Sequence, residues 1–397
     1  VFEMSRDRYS AGLYLSRYKL NLFGNFTYFQ EDPLNGDAHE QVDRRWIYGG
    51  HFEFQRELTS RINLRAGTDM RSDQIGEVSL HAVENRIRLG LVRQDSVDWL
   101  SLGVFSELEI DISDKLRSFL GIRLDYSDYN VLANLSDNSG NGSDDIWLPS
   151  IGFAYEVGSF GELYLNWGKG FHSNDVRGAT IAFDPLSNYE LEPVVLFSGQ
   201  DGAEVGYRVE RDDDLVLNLA YFWLQSDSEL IFAGDSGGTE ASDGSERSGL
   251  ELAVFWELNS NWVLDLTGSI VDSKFVAVDA KFDHIPNAHG RVISMGLTHA
   301  PVLGWNWSMR VRHFGDAALV EDDSINYPST TIINMGLSYK TDRWTAGVDL
   351  FNLADSEHYD IAYWYSSRLL SEVSPVEDIH FHPVNPRSIR VGLEYRF

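Results

Sequence analysis

His380 and His382, in the segment Asp378-Ile379-His380-Phe381-His382-Pro383, are the most metal-like pair in this chain. Alternate side chains of an extended segment share a side, so the two imidazoles could together bind a transition metal. No third ligand is fixed by spacing, and surface or lumen histidines fit the pattern equally, so no metal is expected. A second polar group, His172, Asn174, Asp175 and Arg177, opens the long connection Phe171–Phe197. Together with His358 and Tyr359 of the later connection Ala354–Val384, these six residues and the two histidines are the candidate substrate contacts. The run from Asp137 to Asp145 is rich in oxygen ligands but lacks calcium-hand spacing, and reads as a flexible loop. No nucleophile elbow, zinc-protease helix, phosphate loop or dinucleotide fingerprint is present. Hence no catalytic residue is assigned, no cofactor is expected, and the chain is read as one that binds rather than catalyses.

The elements that would carry these residues are strands. Ile389, Val391, Leu393, Tyr395 and Phe397 fall on one face of the last segment, with Arg390, Gly392, Glu394 and Arg396 on the other. The same alternation gives Leu215/Leu217/Leu219/Tyr221/Trp223, Trp262/Leu264/Leu266/Ile270, Trp305/Trp307/Met309/Val311 and Trp344/Ala346/Val348/Leu350. An apolar band of about nine residues, edged by aromatic rings, suits a tilted strand crossing the hydrocarbon layer with its rings at the interface. The spacing predicts about sixteen such strands, the first over 9–30 and the last over 385–397. Tight turns near Leu58, Ser113, Ser159, Arg211, Asn259, Pro301 and Thr341 alternate with long connections at Asn134–Asp145, Phe171–Phe197, Asp235–Asp243, Asp316–Ser329 and Ala354–Val384. The expected fold is therefore all-β, one antiparallel transmembrane β-barrel domain over 1–397, with short periplasmic turns and long extracellular loops. Inward charges of both signs (Arg61, Arg65, Asp69, Glu107, Glu109, Arg117, Arg123, Asp125, Arg310, Arg312) suggest cross-strand pairs lining a wet lumen.

Composition agrees. With 32 basic and 61 acidic residues the formal net charge is −29, which excludes nucleic acid as a partner. There is no cysteine, hence no disulfide or thiolate metal site. No apolar run reaches the ~18 residues of a membrane helix, and a barrel needs none. Val1-Phe2-Glu3-Met4-Ser5-Arg6 resembles neither an initiator sequence nor a signal peptide, so the chain is expected to be a piece of an exported protein.

Several segments in order then resemble the TonB-dependent receptors, active transporters of the Gram-negative outer membrane. They include Gly121-Ile122-Arg123-Leu124-Asp125-Tyr126, Glu162 through Asp175, Gly202-Ala203-Glu204-Val205-Gly206 and Ser248-Gly249-Leu250-Glu251-Leu252. Asp349-Leu350-Phe351-Asn352-Leu353-Ala354-Asp355, followed by His358-Tyr359-Asp360, is similar to a segment near the family's C-terminus, with Ala354 where an aromatic residue is usual. Arg390, Gly392, Tyr395 and Phe397 resemble the C-terminal signal read by the barrel-assembly machinery. The resemblance implies an outer-membrane receptor for energy-coupled uptake of a scarce extracellular nutrient, a siderophore-like metal chelate or a cobalamin-like compound. Its partners would be outer-membrane lipid, that ligand, and the TonB energy-coupling complex acting through a plug. Family barrels hold about twenty-two strands, so the plug and about six early strands are expected to be missing here. A passive sixteen-stranded porin, and less so an outer-membrane hydrolase, remain the alternatives.

Overall fold

The computed structural model describes residues 2–6, 8–187, 189–211, 214–233 and 238–397, excepting the side chains of 2, 3, 5, 6, 230–233 and 238–241. The expected turn at Asp212 and residues 235–237 of the connection after it lie outside the described residues.

A 17-stranded antiparallel sheet forms the wall. Its strands are β1 (Phe2–Arg6), β2 (Tyr9–Gly24), β3 (His39–Thr59), β4 (Ile62–Glu84), β5 (Ile87–Ser113), β6 (Leu116–Ala133), β7 (Gly140–Val157), β8 (Gly161–Ser173), β9 (Phe197–Arg211) and β10 (Leu215–Ser226). They continue with Ser245–Asn259, Trp262–Phe275, Arg291–His299, Gly304–Phe314, Thr330–Lys340, Trp344–Phe351 and Ser388–Tyr395, each paired with the one before. Turns joining residues 59–62, 113–116, 157–161, 259–262, 299–304 and 340–344 all lie at one end.

Register shows why the sheet stands in lipid. Leu219 faces Tyr207 and Leu252, Leu266 faces Val254 and Met295, and Met309 faces Leu297 and Met335. Leu337 faces Val348, which faces Val391. Partners in register share a face, so each alternation joins its neighbours in one apolar ring. Leu219, Leu250, Met295, Met309 and Leu337 are exposed, as lipid-facing residues of an isolated chain must be. Near the short turns, Trp262 meets Trp307 edge-on at 5.1 Å, Trp305 meets Tyr339 at 5.1 Å, and Tyr339 meets Trp344 at 5.8 Å. That is an interfacial belt.

The boundaries differ from the sequence expectation chiefly at the long-loop end. The strand expected over 9–30 stops at Gly24, while Phe2–Arg6 adds a strand. β4 and β5 run unbroken to a tight turn at Asn85 and Arg86 (φ 51° and 65°). Both φ values are positive, as a hairpin turn matching the strand twist demands. At 23 and 27 residues these strands far exceed the ~10 needed to cross lipid, so their outer ends stand beyond it. The run 140–145 is strand rather than flexible loop, and Ala354–Val384 contains a hairpin, Tyr359–Ser367 with Val376–Pro383.

The sheet curls far enough to bring the elements beside its two edges together, although among the described residues β1 and Ser388–Tyr395 form no ladder with each other. The loop after β2 touches the hairpin before the last strand: Arg368 N donates to Thr27 O at 3.0 Å, and Tyr28 bridges Arg368 in parallel.

Candidate functional site at the outer mouth

The candidate contacts fall on two elements, both at the long-loop end. The first is the segment 174–196, which folds back onto the inner face of β4–β6. Val176 and Leu196 pack with Ile75, Val97 and Val131, all buried. Arg177 joins Asp175 at 2.6 Å and extends to Asp95 of β5 at 3.9 Å. Asp95, 1% exposed, is held by Arg93 at 2.5 Å, and Asp73, also 1% exposed, by Arg71 at 2.6 Å and Arg45 at 3.2 Å. The inner wall is thus an ordered array of alternating charges, and the loop docks on it through a guanidinium. Burial works against charge on both Asp175 and Arg177. Their mutual attraction outweighs it, holding the Asp175 carboxyl below its ordinary range and the Arg177 guanidinium above its own.

Asn138, expected in a flexible acidic loop, is buried and clamps the same segment. Its amide donates to Phe183 O at 2.8 Å and accepts from Ala182 N and Phe183 N at 2.9 Å. Asn174 is likewise buried and donates to Val195 O at 2.7 Å, across the neck of the loop. His172 lies 3.5 Å from the Ser228 hydroxyl. Asn174, Asp175 and Arg177 therefore hold the loop's shape.

The second element is the hairpin 359–383. His380 Nε2 lies 2.8 Å from Ser367 Oγ, and its ring stacks on Tyr365 at 3.7 Å and 13°. Tyr28, from the far end of the sheet, approaches the same imidazole at 6.4 Å. Tyr359 lies against Phe381 at 4.1 Å and parallel to Tyr327 at 5.9 Å. Its carbonyl accepts from Tyr327 Oη at 2.6 Å and Thr330 Oγ1 at 3.2 Å. His382 Nδ1 is 3.6 Å from Asp360, both 66% exposed, and His358 is exposed too. His380 and His382 do share a side of their strand, but among the described residues no group of three or more His, Cys, Asp or Glu could hold a metal ion. This end of the barrel offers aromatic faces, imidazoles and carboxylates.

Sequence reasoning missed Asp95, Asn138 and Arg368 as the groups that fix these elements. Asn138 bonds Phe183, 45 residues on, and Arg368 bonds Phe29 across 339, so no local spacing could have shown either. The expected mixed-sign wall pairs are present: Arg123 with Asp69 and Asp125, Arg65 with Glu53, Arg310 with Asp265, and Arg117 with Glu162.

A curled antiparallel sheet with an apolar outer ring and a charged inner face defines an outer-membrane β-barrel protein. The family description "TonB dependent receptor-like, beta-barrel" matches residues 2–353, and the chain belongs to that family. Similar solved structures include the ferric yersiniabactin uptake receptor FyuA from Yersinia pestis (14% identity, TM-score 0.71, 98% of this chain and 59% of that one). The copper transporter OprC follows (14%, 0.72, 99% and 63%), as does the siderophore receptor PiuA from Acinetobacter baumannii (13%, 0.70, 99% and 63%). At such identity they share the fold alone. The chain spans about three fifths of their length.

Proposed function

We propose that this chain is the wall and ligand-collecting mouth of a receptor for energy-coupled uptake of a scarce nutrient, a metal chelate or a cobalamin-sized compound. The observation that carries this reading is family membership over residues 2–353. The similar folds of a ferric yersiniabactin uptake receptor, a copper transporter and a siderophore receptor support it. The TonB complex would supply the energy, and the barrel-assembly machinery would read the terminal Arg390, Gly392, Tyr395 and Phe397. The collecting surface would be the loop shaped by His172, Asn174, Asp175 and Arg177 together with His358, Tyr359, His380 and His382. Aromatic faces and imidazoles suit a flat, partly aromatic chelate better than a bare ion, whose ligands would have to converge.

One observation favours a passive channel: the segment 174–196 lies against the inner wall, as a constriction loop would. Uptake of radiolabelled ferric chelates by cells with and without the gene separates the readings. Uptake that needs the gene and stops with a protonophore supports the receptor. Gene-dependent uptake that persists without energy makes it a pore, and no gene dependence for any chelate removes the proposed substrate class.

A further inference from the structure

The hairpin of Tyr359–Ser367 and Val376–Pro383 has two unlike faces. Ala362, Trp364 and Ile379 pack with Leu319 and Tyr327 of the loop 315–329, so that face is core. Side chains alternate along each strand, which puts Tyr363, Tyr365, Asp378, His380 and His382 on the opposite face. His380 Nδ1 lies 3.0 Å from the Asp378 carbonyl oxygen, and Nε2 lies 2.8 Å from Ser367 Oγ. A carbonyl only accepts, so Nδ1 donates and Nε2 takes the serine hydrogen. Both nitrogens are engaged. The ring, stacked on Tyr365 and bordered by Tyr28, therefore offers a ligand its face rather than a lone pair.

Carboxylates stand beside these rings. Asp378 pairs in register with Tyr365, and Asp360 lies 3.6 Å from His382. Among the described residues neither carboxylate forms an ion pair with a lysine or arginine. The wider mouth has the same bias. The outer connections 25–38, 85–86, 134–139, 174–196, 227–244, 276–290, 315–329 and 352–387 hold 25 acidic and 5 basic residues, so they carry most of the net charge of −29. Those five cations are already engaged. Arg177 holds Asp175 and Arg387 holds Asp355, both at 2.6 Å. Arg368 bonds the main-chain oxygens of Phe29 and Glu372, while Arg86 and Lys281 lie over the Phe23 and Phe282 rings.

We propose that the ligand collected here is a cationic metal chelate, its positive group held by Asp360 and Asp378 and against the His380–Tyr365 rings. This rests on the receptor function proposed above and names the charge of its substrate. A carboxylate beside an aromatic face attracts a cation through ion pairing and the ring quadrupole together. An anionic chelate would have to displace a bonded guanidinium, and would enter against a field of its own sign.

The test offers iron-starved cells, with and without the gene, three radiolabelled ferric chelates built on one trihydroxamate. Its terminal amine is left free, acetylated or succinylated, so the complex carries one positive charge, none, or one negative charge. Gene-dependent uptake should favour the positive form. Its KM should rise about fivefold for each unit of positive charge removed, the factor that one charge pair near 4 Å contributes in water. D360N/D378N, which keeps the size of both side chains, should bring the three KM values together. Heat-dependent electrophoretic mobility shows that this variant is folded. Equal or better uptake of the negative form overturns the charge assignment and leaves the receptor function standing. Unchanged discrimination in D360N/D378N overturns the assignment to this hairpin. Gene-dependent uptake of none of the three removes both the charge assignment and the chelate receptor on which it rests.

Discussion

Arg123 of β6 grips Asp69 of β4 with a whole strand between them. Its Nη1 and Nη2 donate to the two carboxylate oxygens at 2.8 and 3.1 Å, while Nε and Nη2 hold Asp125 at 2.6 Å. The reach exists because Gly103 of β5 lies between, and a Cβ there would overlap the guanidinium. The same device recurs where Arg310 holds Asp265 across Gly296. Gly103→Val should therefore break the clamp while leaving the lipid face intact, and cost about 1–3 kcal/mol through overpacking and the lost pair. Thermal unfolding in detergent measures the cost. Combining it with Arg123→Met should add little, because both changes remove one interaction; full additivity would show that Gly103 does not serve the clamp.

Arg368 fastens the loop after β2 to the hairpin 359–383 at the outer mouth. Phe29 N donates to its carbonyl at 3.0 Å, and its Nη1 donates to Phe29 O at 3.2 Å. Arg368→Ala keeps the main-chain bonds and loses the guanidinium ones, so the loop 25–38 should exchange its amide hydrogens about tenfold faster. That corresponds to one hydrogen bond of about 1.4 kcal/mol. Unchanged exchange in that loop would deny the fastening role.

Arg177 pins the inward loop to the wall. Arg177→Met leaves the half-exposed Asp175 without its partner and removes the more distant of two cations from Asp95, which should cost the loop about 1 kcal/mol of local stability. Limited proteolysis should then cut within 178–195 while the strands stay protected. Protection equal to the native chain would mean that Val176, Leu196 and Asn138 suffice.

Acid should loosen the same loop. Burial opposes charge on Asp184, yet hydrogen bonds from Ser187 and Leu186 outweigh it and hold its pKa below the ordinary value, as Arg177 does for Asp175. For carboxyls depressed in the folded state, the stabilisation is full above the ordinary carboxylate pKa of about 3.9 and is lost as pH falls through the lowered folded value. Hydrogen exchange across 174–196 should therefore be flat from neutral pH to about 5 after correction for intrinsic rates, and rise below about 4. A rise already at pH 6 would implicate histidines instead.

Leu219 tests the lipid face directly. With Tyr207 and Leu252 in register on either side, it sits within the apolar ring. Leu219→Arg should destabilise the inserted barrel by about 2–4 kcal/mol, whereas Asn218→Arg on the inner face should be mild. Equal effects would place both faces in the same solvent.

Strand identity, lipid face and charged lumen were legible in the residues, because each rests on a period of two and needs no partner; the family was legible only through the motifs that resemble it. Leu215 to Trp223 show their band whatever lies beside them. The outer ends were not legible. Above the lipid, the buried positions Asp73, Ile75, Ser79, His81 and Val83 keep the strand's period but mix polar with apolar residues, so they form no apolar band. The hairpin within Ala354–Val384 carries its rings for contacts with Tyr28 and Tyr327, made only after the sheet has curled. The candidate contacts were likewise chosen as residue types on long connections. Their roles as loop anchors depended on Asp95 and Asn138, brought near by the curvature of the wall. Hydrophobic alternation is a property of each strand alone, and the sequence determined it. Which carboxylate meets which guanidinium across three strands is decided by register and curvature, and those belong to the assembled barrel.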